Sequence, residues 1–100
     1  MALISNPFTA NVPKTMNAEE VIQSLREDII NEYEAIIGYE AHVEATTDER
    51  VKKVLSGIAE EEKGHIGQLE QLIYLLKPND QGAVDKGKQI VQNKQNNNFQ

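Results

Sequence analysis

Apolar residues recur along this chain in two long runs whose steps alternate between three and four residues. The first run is Ile22, Leu25, Ile29, Ile36, Tyr39 and Val43. The second is Val51, Leu55, Ile58, Leu69, Leu72 and Leu76. That spacing marks the inward stripe of an amphipathic α-helix. Each stripe has a gap, at position 32 in the first and at 62 and 65 in the second. Glu32, Glu62 and His65 fill these gaps, so charged or ionisable side chains stand where leucines would be expected. A carboxylate inside a bundle is costly unless it is paired, protonated or bound to a metal.

Turn chemistry predicts the boundaries of the two helices. Asn17-Ala18-Glu19-Glu20 supplies an N-cap with Glu three positions on, which starts the first helix with a capping box. Ala45-Thr46-Thr47-Asp48 is the break, with Thr46 or Thr47 expected to cap the second helix and Thr46 to pair with Glu49 in a second capping box. Lys77-Pro78-Asn79-Asp80 is expected to end it, because proline cannot continue a helix, and Gly82 falls in the turn that follows. Residues 17–78 therefore predict an antiparallel helical hairpin. Residues 1–16, with Pro7 and Pro13, predict an irregular arm. A turn and a short third helix are expected over 79–92, and a disordered Asn/Gln-rich tail over 93–100. The fold class is all-α. Ile30, Tyr33 and Ile37 form a second apolar line beside the first stripe, so the first helix faces more than one neighbour.

The register of the hairpin brings the three interruptions together. With the turn centred near 46–47, Glu32 lies about fourteen residues before it and Glu62 about fifteen after it, level at the α-helical rise. His65 is one turn from Glu62 on the same face. Singly, each residue has a plain structural reading: Glu32 as a marginal charge, Glu62 as part of the solvated run Glu60-Glu61-Glu62, and His65 as a hydrogen-bonded core histidine. Three polar intrusions aligned at one height favour a metal site instead. One hairpin holds two carboxylates and one imidazole. Two chains hold four Glu and two His, the ligand set of a di-metal carboxylate bundle, which predicts a four-helix bundle completed by dimerisation about a two-fold axis. Hard oxygen donors with one imidazole each suit iron or manganese better than copper. Tyr39, two turns beyond Glu32, is either a neighbour of this site or a core residue. Tyr33 and Tyr74 are assigned to packing, and His42 to an interface or surface. Glu34, Glu40 and Glu61 read as a solvated acidic face rather than as an outer cluster that attracts metal ions.

Composition narrows the chemistry further. The chain has one hundred residues, sixteen acidic and ten basic, a net charge of −6 and no cysteine. One hundred residues allow one domain, and a lone hairpin buries little core, so association with copies of itself is expected. The acid excess disfavours nucleic-acid partners. The lack of cysteine excludes thiolate zinc sites and iron–sulfur clusters. No apolar run is long enough to span a membrane and no signal peptide is visible, which predicts a cytoplasmic protein. Gly57 and Gly64, seven apart in the second helix, hint at close approach by another helix.

On these residues the chain resembles the encapsulated ferritins, short ferritin-like proteins that supply half a four-helix bundle per chain. The resemblance covers about residues 18 to 78. It rests on Glu32, the following Tyr39, the turn Ala45-Thr46-Thr47-Asp48, and Glu-Glu-Glu-Lys-Gly-His at 60–65. It implies an Fe(II) oxidase with a di-iron site shared between two subunits, Glu32, Glu62 and His65 as ligands, and Tyr39 close to the site. It also implies a homodimer within a larger ring, commonly a decamer, housed in an encapsulin nanocompartment that stores the iron oxide. The chain departs from the family pattern at Asn31 and Gly38. Its end, Asn96-Asn97-Asn98-Phe99-Gln100, lacks the apolar Gly-Ser-Leu-like peptide that docks into the shell. Either the tail differs, or the chain is a piece of something longer, such as a fusion to the shell. Two other functions fit the same residues: a di-manganese catalase or peroxidase on this bundle, and a structural hairpin in which Glu32, Glu62 and His65 only set the register.

Overall fold

The computed structural model of the protein describes residues 15–98. Three helices make up its secondary structure: α1 (Ala18–Ala45), α2 (Glu49–Leu76) and α3 (Pro78–Asn98). The expected arm lies outside the described residues, apart from Thr15 and Met16, which are non-helical.

The expected capping box starts α1. The Asn17 side chain accepts from the Glu20 amide at 2.9 Å, and Glu20 Oε1 accepts from the Asn17 amide at 3.0 Å. The capping of α2 differs from expectation. Its N-cap is Asp48, whose Oδ1 accepts from the amides of Arg50 at 2.9 Å and Val51 at 3.4 Å. Thr46 closes α1 instead, donating its amide to the His42 carbonyl, and its hydroxyl accepts from the Asp48 amide at 3.1 Å. A carboxylate is the better cap because it meets both the free amides and the positive end of the helix dipole. The Arg50 side chain also binds Asp48, and these hydrogen bonds hold its carboxyl below the usual carboxylate range.

With three residues between them, α1 and α2 form an antiparallel hairpin. Each has 28 residues, a length of about 42 Å. Ile22 and Ile36 of α1 are buried against Ala59, Ile66 and Ile73 of α2. The α1 stripe lies where the periodicity places it, all of it buried or half-buried. The α2 stripe is turned by about one residue. Ala59, Ile66 and Ile73, seven apart, contact α1 most deeply, while Val51, Leu72 and Leu76 remain 41, 47 and 49% exposed. The apolar arc of α2 is wider than one helix can cover, and α1 takes only one side of it.

Pro78 ends α2 and at once begins α3, as the first residue of that helix. Proline suits this place, since the amide it lacks would have no partner there. The helix runs 21 residues, so the turn expected at 79–82 is absent, and 93–98, where composition predicts disorder, is helical. Side-chain bonds at four-residue spacing line its polar surface, Gln89 to Asn93 and Gln92 to Asn96. Only Lys77 separates α2 from α3. An Arg26–Asp80 ion pair ties α3 to the start of α1.

Candidate metal centre

Two helices meeting at mid-length position the site. Glu32 sits halfway along α1, and Glu62 and His65 lie one turn apart in the middle of α2. His65 Nδ1 is 3.6 Å from Glu32 Oε1 and 3.6 Å from Glu62 Oε2. One donor atom from each residue lies within 4.8 Å of the other two. These separations are too long for good hydrogen bonds, and they suit donors converging on one cation. Among the described residues this is the one group of acidic and histidine side chains gathered in this way.

The carboxylates and the imidazole differ in exposure. The Glu32 and Glu62 side chains are 24% and 18% exposed, while His65 is 49% exposed. The expectation that His65 faces a closed core is therefore not met within one chain. The imidazole stands at the open margin of the hairpin, beside the apolar side of α2 that α1 leaves uncovered. Tyr39 is half-buried on the same face of α1, about 10 Å along the axis from Glu32.

The opposite margin is polar. Lys63 Nζ lies 3.3 Å from Glu40 across the hairpin and 3.1 Å from Glu60 on its own helix. Both carboxylates push the lysine pKa up. A shallow groove of about 520 Å³ runs along this margin, lined by Glu40, Val43, Ser56, Ala59, Glu60 and Lys63. This cross-hairpin pair is not among the residues that the apolar period marks. Its signal was a Lys beside Glu62 on the side away from His65, with Glu40 as its opposite. Glu34 and Glu61 are exposed, as a solvated face requires, and so is His42. Tyr33 is not packed within the chain, being 52% exposed. Tyr74 is half-buried and donates to Glu70 at 3.3 Å. Burial first, and the Glu70 charge second, raise its pKa.

The chain superposes on a solved structure, the encapsulated ferritin domain from Pyrococcus furiosus. The TM-score is 0.81 at 35% identity, over 88% of this chain and 90% of that one. The chain belongs to the encapsulated ferritin family. Two further relatives share the likeness. An encapsulin nanocompartment cargo protein of Myxococcus xanthus is 38% identical over 74 residues, covering 74% of this chain. A ferritin-like–encapsulin shell fusion protein of Pyrococcus furiosus is 40% identical over 73 residues, covering 73% of this chain. The encapsulated ferritin chain described here spans 57% of the length of the first and 21% of the second. No protein-family model matches it. Among its described residues no helix is long and apolar enough to cross a membrane.

Proposed function

We propose that this encapsulated ferritin is a ferroxidase, oxidising Fe(II) to Fe(III) with O₂ at a di-iron site shared between two copies of the chain, and that it serves as iron-storage cargo of an encapsulin shell. The observation that carries this reading is the convergence of Glu32, Glu62 and His65 at the open margin of the hairpin.

One chain offers three donors, fewer than a pair of hard cations requires. The exposed apolar residues of α2 support completion by a second copy. Val51 and Val54 lie on one side of the Glu62–His65 pair, and Leu72, Leu75 and Leu76 at a similar distance on the other. A two-fold axis through that pair, with the two α2 helices antiparallel, sets Val51 opposite Leu76 of the second copy and Glu62 opposite its His65. The apolar ends then seal the site, and the half-exposed imidazole becomes enclosed. Two such half-sites bring four carboxylates and two imidazoles together.

Iron is the substrate here. The carboxylates supply the negative charge that draws Fe(II) in and stabilise Fe(III) more strongly, which favours loss of an electron. Each Fe(II) passes one electron towards O₂ and leaves as Fe(III). The chain's own part is to hold two ions at a set spacing and to limit water around them. Tyr39, above Glu32, is proposed to border the site. The ring of subunits, a decamer in this reading, and residence inside a nanocompartment rest on the family and on the names of the relatives.

The test is aerobic addition of Fe(II) to the purified protein, following Fe(III) absorbance beside an E32A/E62A/H65A variant. Rapid oxidation saturating at about two irons per two chains, lost in the variant, is the expected result. Oxidation no faster than in buffer overturns the ferroxidase reading. Peroxide turnover by manganese-loaded protein would then assign the di-manganese alternative, and a stabilised assembly on replacing all three residues by Leu would assign a structural hairpin. Co-expression with an encapsulin shell protein, scored by co-purification, tests the cargo role.

A further inference from the structure

Charge is divided unevenly between the hairpin and the third helix. Every acidic residue other than Asp80 and Asp85 lies before Lys77, whereas Lys77, Lys86, Lys88 and Lys94 make the C-terminal part basic. Helix α3, with three lysines to two aspartates, is also the one without a partner. From Gln81 to Asn96 every residue is exposed. Helix α3 makes few close backbone contacts with α2 and none with α1. It is what widens the described structure to 45 Å in a body only 16 Å thick.

Such a helix is poorly stabilised on its own. It carries Gly82 and Gly87 and an Asn-rich end, each unfavourable in a helix interior, and most helical stability in proteins comes from packing. Its residues are nevertheless ordered along one side. Val84, Lys88, Val91 and Lys94, at steps of four, three and three, share a face that also carries Gly87. Asp80 lies on the same face and is already paired with Arg26. Asp85 borders the face beside Lys88 and Ile90 borders it beside Lys94, with Lys86 on the far side. The two valines, 39% and 60% exposed, alternate with two lysines and make a face suited to an acidic ridge with an apolar border.

The hairpin presents such a ridge. Glu27 and Glu34, both exposed, are seven apart on the side of α1 turned away from α2, with Ile30 and Ile37 beside them at 51% and 67% exposure. Neither glutamate has an ion-pair partner among the described residues. Along the axis the two glutamates are about 10.5 Å apart and Lys88 and Lys94 about 9 Å. The chain cannot close this contact on itself. A single residue links α2 to α3, and the Arg26–Asp80 pair fixes the direction in which α3 leaves.

We propose that α3 is a docking arm whose Val84–Lys88–Val91–Lys94 face binds the Glu27–Glu34 ridge of a second copy of this chain. This contact is separate from the one that completes the metal centre and does not depend on the iron chemistry.

The test uses the full chain, whose lack of cysteine makes engineered disulfides unambiguous. Lys88→Cys is combined with Glu27→Cys in one variant and with Glu34→Cys in another, to cover both directions of docking. Under mild oxidation one of the two is expected to form a disulfide-linked dimer, while each single-cysteine variant beside it gives little. In parallel, sedimentation velocity compares the wild type with K88E/K94E, E27K/E34K and the four-fold exchange. Each two-residue reversal is expected to weaken assembly roughly tenfold, as is raising the salt. The four-fold exchange is expected to restore it. Absence of a disulfide in both pairings, or reversals that assemble like the wild type, or an exchange that fails to restore assembly, overturns the proposal. Helical circular dichroism is recorded for every variant, and the cysteine pairs decide the matter should a charge variant fail to fold. Iron oxidation by the lysine variants reads the other proposal separately.

Discussion

At the scale of single residues, one substitution of leucine by a ligand-type side chain carries little information, and three at one height carry a great deal. Glu32, Glu62 and His65 were legible because each breaks an apolar period, and their convergence within 4.8 Å follows from the α-helical rise and the position of the turn. The tyrosines and His42 were harder to read, because an aromatic ring at helical spacing serves packing and chemistry equally well. The caps behave as local devices. Asp48→Ala removes the acceptor for two backbone amides and the partner of Arg50, so a lower melting temperature is expected by circular dichroism. The Asp48 carboxyl is held below its unfolded value by Arg50. Its contribution is therefore present above the unfolded pKa and is lost as the pH falls through the folded one. The wild type and D48A should accordingly converge in melting temperature in acid, and a constant difference down to strongly acidic pH would contradict this assignment.

At the scale of elements, both helices of the hairpin and their turn could be read from period and punctuation. The rotation of α2 could not. Its apolar positions span more than one contact width, and periodicity alone does not say which part of a wide arc an adjacent helix takes. Ile73, 4% exposed, and Leu75, 68% exposed, separate the two sides. Ile73→Ala is expected to destabilise the hairpin by about 2–5 kcal/mol, the usual loss for a buried large-to-small change, seen in urea melts. Leu75→Ala should leave the hairpin fold within about 0.5 kcal/mol and instead weaken association, seen by sedimentation. Equal effects in both assays would mean that the two sides are not distinct. Pro78 is followed by helix and not by the expected turn, because proline is both the residue that stops one helix and a favoured first residue of the next.

At the scale of the whole molecule, the described chain is a thin plate. Its radius of gyration is 17.9 Å, against about 13 Å for a compact domain of this length. Five residues form its buried core, none of them aromatic. So small a core leaves the single chain marginally stable against the entropy of ordering three helices, and association is expected to add to its stability. Its melting temperature should then rise with protein concentration, measured by calorimetry over a hundredfold range; a concentration-independent transition of the single chain would refute that.

The sequence by itself determined the helical hairpin, its register and the identity of the three residues at its centre. These are properties of a one-dimensional period, in which rise per residue and turn position suffice. Only the tertiary structure decided that α1 covers one side of α2, that His65 stands at an open margin beside an uncovered apolar face, and that α3 leaves the hairpin as a long arm whose Asp80 is tied to Arg26. Those depend on how a wide apolar arc is shared between neighbours and on an ion pair between residues far apart in the chain, and helical period carries neither.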